Sequence, residues 1–115
     1  MEAEFAVTPT LRDGFLVLVL EGDLDMVQSP TLEAALDAST DGLPVIVDLT
    51  GLSFIDSTGL HTLVQARDRG RPSALVRTPG SNVGRVLDIV QLEKAIPVYG
   101  DVAAAVERLR RGPRE

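Results

Sequence analysis

Apolar runs typical of strands alternate with apolar repeats typical of helices along most of this 115-residue chain. Residues 15–20 and 45–49 are short and largely apolar, as in strands that are covered on both faces. After the second run, apolar residues recur at the spacing of a helix face, as at Leu60, Leu63 and Val64. Strands that alternate with helices pair in parallel through right-handed crossovers. The pattern therefore predicts a single α/β domain with a mostly parallel sheet.

The first strand is the exception to this parallel arrangement. Residues 5–11 contain Pro9, which cannot donate a hydrogen bond to a sheet and therefore favours an edge strand. Asp13 and Gly14 follow, and this pair is typical of a tight hairpin turn. Such a turn brings residues 5–11 antiparallel to residues 15–20. We therefore expect a mixed sheet with an antiparallel strand at its N-terminal edge.

Four helices are predicted, each from a start signal followed by an apolar stripe. The start signals are Ser29 as a cap, the junction at Ser57, the stripe that begins at Val83, and Asp101 as a cap. The remaining strands are predicted at residues 74–76 and 95–98. These elements make one domain over residues 1–111, and residues 112–115 are expected to form a flexible tail.

Composition and charge exclude several classes of protein. Seventeen acidic and eleven basic residues give a net charge of −6, and such a surface repels a nucleic acid backbone. The absence of Cys excludes disulfides, thiol catalysis and Cys-ligated metal. The longest apolar run is too short to cross a bilayer, and the first residues are acidic where a signal peptide would be basic. We therefore expect a cytoplasmic protein that binds neither nucleic acid nor membranes.

The most informative segment is GLSFIDSTGL at residues 51–60, where the second central strand is followed by a helix. It places the Ser57 hydroxyl at a helix N-terminus, beside Asp56 and Gly59. Backbone amides and the helix dipole favour negative charge there, so a phosphate on Ser57 is well placed. The same hydroxyl is also a common helix cap, and local chemistry by itself favours the capping role.

Acidic residues follow the first central strand and flank the end of the second. Asp23 and Asp25 come after residues 15–20, and Asp56 precedes Ser57. Because the carboxyl ends of neighbouring parallel strands meet at one edge of a sheet, these side chains are expected to share it. Three carboxylates there suit a magnesium ion, but Asp also populates strand-ending turns for backbone reasons. No phosphate-binding glycine loop accompanies them, so no metal site and no cofactor are predicted.

A hydrolase built on Ser57 and the single histidine, His61, is a weaker interpretation. The two residues lie four apart and can share a helix face. However, the segment lacks the first glycine of a nucleophile elbow, and a histidine on the same helix is badly placed for orientation by a third group. We therefore expect no catalytic residues and no enzyme activity.

A phosphoaspartate receiver is the alternative from another class of small α/β switch. Its acidic pair, acceptor, hydroxyl and lysine would be assigned to Asp23, Asp25, Asp48, Thr78 and Lys94. The assignment fits poorly because Asp48 does not end its strand pattern. Lys94 also precedes its strand instead of ending it.

Residues 47–60, VDLTGLSFIDSTGL, resemble the signature of the STAS-domain anti-sigma factor antagonists. The segment LEGDLD at residues 20–25 is similar to the upstream turn of that family. The resemblance implies the STAS fold, with helices mainly on one face of the sheet, and implies that Ser57 is the phosphorylated serine. Asp23 stands where glutamate is commoner, and His61 stands where many members have glycine or another small residue.

The resemblance also implies a partner and a regulatory cycle. The partner is an anti-sigma factor that is itself a serine kinase with a histidine-kinase-like ATPase fold. Unmodified antagonist binds this partner and frees a sigma factor, whereas phosphorylated antagonist lets go until a phosphatase resets it. The alternative within the fold is a STAS scaffold or transporter-associated module whose serine is not modified.

The residues expected to contact the partner surround the predicted phosphorylation site. They are Asp23, Asp25, Met26, Asp56, Ser57, Thr58, Gly59 and His61. Met26 and the following Val27 are expected to be exposed beside the acidic edge. Phe54 and Ile55, in contrast, are expected to pack in the core.

Overall fold

The strands pair in chain order in a computed structural model that describes residues 5–38, 42–70 and 72–111. Within these ranges, five strands form one sheet of order β1-β2-β3-β4-β5. The strands are β1 (Ala6–Arg12), β2 (Phe15–Leu24), β3 (Val45–Ile55), β4 (Ala74–Val76) and β5 (Val98–Tyr99). The first pair is antiparallel and the other three pairs are parallel. The predicted mixed sheet with an antiparallel N-terminal edge strand is confirmed.

Four α-helices accompany the sheet in the same described ranges, as predicted. They are α1 (Ser29–Ala38), α2 (Ser57–Arg67), α3 (Asn82–Ile89) and α4 (Val102–Arg110). The predicted cap of α4 is confirmed, because the Asp101 carboxylate accepts a hydrogen bond from the Ala104 amide at 2.7 Å. None of the described helices is long and apolar enough to cross a membrane.

The helices cover the two faces of the sheet unequally. Apolar residues of α1, α2 and α3, including Leu32, Leu63 and Leu87, share one core with β2 and β3. On the other face, Ala105 and Val106 of α4 pack in a second core. Helices therefore lie mainly on one face, as the resemblance implies. Burial of these apolar side chains is the main force that holds the sheet between its two layers.

The N-terminal hairpin forms as the sequence predicts. Asp13 and Gly14 both have positive φ, 53° and 85°, which is the backbone geometry of a tight hairpin turn with right-handed strand twist. β1 then pairs with β2 over its whole length, from Ala6 opposite Glu21 to Arg12 opposite Phe15. The strand lies at the edge of the sheet, where Pro9 is tolerated.

The two central strands are longer than predicted. β2 continues past residue 20 to Leu24, and β3 continues past residue 49 to Ile55. The sequence pattern fades there because exposed residues separate the buried ones, but Leu24, Leu52 and Ile55 remain in the main core. Leu24 is the register partner of Ile55, so both strands end side by side. This shared end positions the candidate site.

The last strand is displaced from its predicted position at residues 95–98. Leu92–Lys94 form a short 3-10 turn, and β5 begins only at Val98. Burial of Leu92 and Ile96 holds this turn against the core, so the chain reaches the sheet later than its apolar pattern indicates. The tail predicted at residues 112–115 lies outside the described residues.

Candidate functional site

The ends of β2 and β3 bring two loops into direct contact. The Asp56 amide donates a hydrogen bond to the Leu24 carbonyl at 3.2 Å. In return, the Met26 amide donates to Asp56 Oδ2, also at 3.2 Å. The structure therefore places Asp25, Met26 and Asp56 at one edge of the sheet, where the parallel strands end.

The residue that caps α2 is Asp56. Its backbone is extended, with φ −107° and ψ −178°, and its Oδ1 accepts a hydrogen bond from the Gly59 amide at 2.9 Å. The capping role that local chemistry by itself favours for Ser57 is therefore wrong. The cap is the residue that precedes the first helical one, and Asp56, an equally good capping residue, occupies that position. Ser57 is the first residue of the helix.

The Ser57 side chain is exposed to solvent at the start of α2. Within the described part of the chain, its hydroxyl makes no hydrogen bond. Thr58 is half-buried, and its carbonyl accepts a hydrogen bond from the Thr62 hydroxyl at 3.0 Å. The position next to the cap thus presents a free, accessible oxygen, whereas the next hydroxyl along the helix is partly covered.

Gly59 is buried where α2 meets the end of the sheet. A Cβ atom at this position would lie 2.9 Å from both Cγ and the carbonyl oxygen of Leu24, and 3.0 Å from Cγ1 of Ile55. Its contribution to the predicted partner surface is therefore indirect. The absence of a side chain allows the start of α2, and with it Ser57, to sit close against the end of β2.

At the start of α1, as at α2, the serine that the sequence indicates as a cap has another role. Ser29 does not act as a cap: its hydroxyl donates to the Asp25 carbonyl at 2.9 Å. Asp25 is the acceptor, because its Oδ1 also receives the Gln28 amide at 3.1 Å. This carboxylate closes the turn between β2 and α1, which carries Met26 and Val27. Both apolar side chains are exposed, by 68% and 73%, as predicted.

Asp23 and Phe54 lie beside the buried residues that end β2 and β3. They are register partners, each next to a residue of the main core, Leu24 and Ile55 respectively. Asp23 is half-buried, and Phe54 borders a groove that Val83 and Val86 of α3 also line. The prediction that Phe54 is buried is wrong: it is 49% exposed, because the register of β2 and β3 shifts just before it and Ile55 takes the place in the main core. Ile55 is buried, as predicted.

A shallow groove runs along α2 from the serine. It has a volume of about 340 Å³. Its lining residues are Ser57, Leu60, His61, Val64, Val90 and Leu92. His61 is exposed, and across the residues that the structure describes its ring makes no hydrogen bond. Ser57 and His61 therefore share one face of α2, as expected, and both line this groove.

The receiver assignment conflicts with the structure. Asp48 lies inside β3, which continues to Ile55, instead of at a strand end. Its Oδ1 accepts hydrogen bonds from the amide and the hydroxyl of Thr50, at 3.0 Å and 2.8 Å. Lys94 lies in the 3-10 turn before β5. The acceptor aspartate and the lysine of a receiver thus both lack the required place at the end of a strand.

The chain belongs to the STAS domain family, whose sequence model matches residues 6–105. An anti-sigma factor antagonist from Mycobacterium paratuberculosis has a similar structure, with a TM-score of 0.84 and 26% identity over 96% of this chain and 99% of that one. This family membership confirms the resemblance seen in residues 47–60.

Three further solved structures share the fold. The unphosphorylated form of SpoIIAA, an anti-sigma factor antagonist and Bacillus cell fate determinant, matches with a TM-score of 0.70 and 19% identity over 95% of this chain and 100% of that chain. The phosphorylated form of SpoIIAA also matches, with a TM-score of 0.62. A sulfate transporter family protein from Wolinella succinogenes has a TM-score of 0.68 and 17% identity over 89% of each chain.

Proposed function

We propose that this STAS domain is an anti-sigma factor antagonist whose binding is controlled by phosphorylation of Ser57. Without phosphate it binds an anti-sigma factor that is also a serine kinase, and a sigma factor is released. Phosphorylation by that kinase ends the binding, and a phosphatase restores it. The observation that carries this proposal is the exposed Ser57 hydroxyl, which has no capping role because Asp56 caps the helix.

The fold tolerates a phosphate at this position. A phosphoserine adds about −1.5 to −2 charges at neutral pH. At the N-terminus of α2 the helix dipole favours negative charge, typically by about 0.3–1 kcal/mol. Because Ser57 is exposed, the phosphate extends into solvent and displaces no packed side chain. The phosphate therefore weakens partner binding without destabilising the domain.

The expected penalty on binding is large enough for a switch. Asp25 and Asp56 already make this edge negative, so a partner that complements them has little positive charge left for a phosphate. A unit charge about 6 Å from another, at an effective dielectric constant of about 20, experiences roughly 3 kcal/mol before salt screening. A hundredfold to thousandfold loss of affinity requires only about 2.7–4 kcal/mol. Electrostatic repulsion and bulk therefore suffice without refolding.

The known proteins support the same proposal. The Mycobacterium paratuberculosis relative is an anti-sigma factor antagonist. SpoIIAA is another, and it exists in unphosphorylated and phosphorylated forms. By this proposal the domain is a kinase substrate and a binding partner, with no catalytic residues or cofactor of its own. It acts in the cytoplasm and binds neither nucleic acid nor membranes.

Affinity capture from a lysate of the source cells tests the proposal. The baits are the wild type, Ser57→Asp and Ser57→Ala, with Gln65→Glu as a matched control that adds one negative charge to an exposed position further along α2. We expect an anti-sigma factor kinase on wild type, Ser57→Ala and Gln65→Glu, with strongly reduced retention on Ser57→Asp. Equal retention on all four baits contradicts control by charge at Ser57.

A STAS scaffold or transporter-associated module is the second candidate. The observation in its favour is the fold shared with the Wolinella succinogenes sulfate transporter family protein. This function requires no modification of Ser57, so it predicts a partner that is neither a kinase nor sensitive to Ser57→Asp. The same four baits therefore separate the two candidates.

A further inference from the structure

We propose that Asp56 is a positioning residue that fixes the Met26–Val27 turn beside Ser57, so that a partner meets the turn and the serine as one rigid surface. The inference deepens the proposed function, because it concerns regulation at the same site. It starts from one observation: each oxygen of the Asp56 carboxylate has its own backbone partner. Oδ1 accepts from the Gly59 amide at 2.9 Å, and Oδ2 accepts from the Met26 amide at 3.2 Å.

The second of these contacts is not needed for capping. At α4, Asp101 caps the helix through the same kind of bond, from Asp101 Oδ1 to the Ala104 amide at 2.7 Å. Among the residues that the structure describes, Asp101 has no additional partner from another loop. One oxygen is thus enough to cap a helix. The other Asp56 oxygen joins α2 to the turn that follows β2.

The turn itself is internally closed and needs only an external anchor. Its first residue, Asp25, accepts the Gln28 amide through its side chain and the Ser29 hydroxyl through its carbonyl. These bonds define the shape of the turn but not its position relative to α2. That position is set where β2 and β3 end, by the Asp56 amide on the Leu24 carbonyl and the Met26 amide on Asp56 Oδ2.

The anchored turn presents an apolar contact next to the serine. Met26 and Val27 are among the most exposed large apolar side chains of the described residues. Exposed apolar groups with polar and charged neighbours are typical of protein-binding surfaces. Because Asp56 is bonded to the Met26 amide and is covalently linked to Ser57, the partner of the proposed function cannot contact Met26 without approaching Ser57. A phosphate on Ser57 thereby weakens binding to the whole surface that the turn and the serine form.

Amide hydrogen exchange of the isolated domain tests the inference with Asp56→Asn, Asp56→Ser and the matched control Asp101→Asn. Asn and Ser cap helices about as well as Asp, but the Asn side chain has one acceptor atom and Ser is too short to reach the turn. We expect the Met26 amide to exchange about tenfold faster in both Asp56 variants, which corresponds to about 1.4 kcal/mol. The Gly59 amide should keep its protection, and Asp101→Asn should leave Met26 unchanged.

Partner binding, measured together with the Met26 exchange, tests whether the anchored turn contributes to affinity. Asp56→Asn, which leaves Ser57 unchanged, should lower the affinity for the partner captured by wild type about tenfold. Asp101→Asn should not lower it. Unchanged Met26 exchange in both Asp56 variants overturns the inference, and so does unchanged partner affinity. The exchange experiment needs no partner, so failure to capture an anti-sigma factor would count against the proposed function and not against the anchoring of the turn.

Discussion

Ser57 and Ser81 both lie at the start of a helix on the same face of the sheet, but Ser81 is in the capping position and Ser57 is in the position after it. At α3, Ser81 is the cap: its hydroxyl accepts from the Gly84 amide at 3.0 Å and donates to the Thr78 carbonyl at 2.7 Å. At α2, Asp56 is the cap, and Ser57 is the residue after it. The Ser81 hydroxyl is hydrogen-bonded within the fold, whereas the Ser57 hydroxyl is exposed.

The two helix starts are otherwise built alike. In each, the cap accepts the amide of a glycine three residues further on, Gly59 or Gly84. Each glycine is so close to neighbouring backbone, at Leu24 or at Thr78, that a Cβ atom would collide with a carbonyl oxygen. What distinguishes α2 is that a carboxylate performs the capping. A serine in the next position is then free for chemistry.

The largest expected effect is that of charge on the exposed serine. Phosphorylation of Ser57 should weaken partner binding about a hundredfold to a thousandfold, equivalent to about 2.7–4 kcal/mol, and the effect should shrink as salt is added. Titration of the captured partner at two salt concentrations measures it. Ser81→Asp is the matched control, because Asp preserves the cap and adds charge at the other helix start. A similar loss of affinity in Ser81→Asp would remove the distinction between the two serines.

The next largest effect concerns the glycines that make the two starts alike. Gly59→Ala and Gly84→Ala should each lower the free energy of unfolding by about 1–3 kcal/mol, since the added Cβ meets backbone oxygen at 2.9 Å and 2.5 Å. Denaturant unfolding measures both. Gln65→Ala, on the exposed side of α2, is the control and should stay within about 0.5 kcal/mol of wild type. Two unaltered glycine variants would show that the helix starts are not tightly packed.

Removal of the occupied hydroxyl should have a moderate effect. Ser81→Ala deletes the cap of α3 and should cost about 1 kcal/mol of stability, whereas Ser81→Asn should restore most of it. Partner affinity should be unchanged in both variants. Thermal unfolding together with titration of the partner checks this prediction, and an Ala variant as stable as wild type would contradict the capping role.

Removal of the exposed hydroxyl should have the smallest effect. Ser57→Ala should change the free energy of unfolding by no more than about 0.5 kcal/mol, because no described group is bonded to that oxygen. It should also bind the partner as wild type does, while it accepts no phosphate at this position. A destabilisation as large as that of Ser81→Ala would mean that Ser57 has a structural role.

Most of the fold follows from the sequence because its periodicity is strong. Alternating strand and helix patterns, the Asp13–Gly14 turn and Pro9 at the edge together predict a mixed sheet and its four helices. The predicted extents fail where periodicity is weak. The last part of β3 buries Leu52 and Ile55 between exposed residues, so its apolar pattern is diluted. β5 begins late because the preceding segment folds into a 3-10 turn.

The site was predictable in composition but not in geometry. The sequence indicates Asp25, Asp56 and Ser57 as neighbours, since strand ends meet at one edge. It does not distinguish which of two adjacent capping residues accepts the amide, because Asp and Ser cap equally well. The contact between Met26 and Asp56 joins residues 30 positions apart and depends on the strand register. A local pattern contains no information on that contact.

The most direct test of the account is the position of the phosphate. The domain is incubated with the captured kinase, ATP and magnesium, and the modified residue is located by mass spectrometry. We expect a single phosphate on Ser57, the exposed serine that follows the cap. Phosphate on Thr58 or Ser81, or none on Ser57 in the presence of the active kinase, would contradict the account.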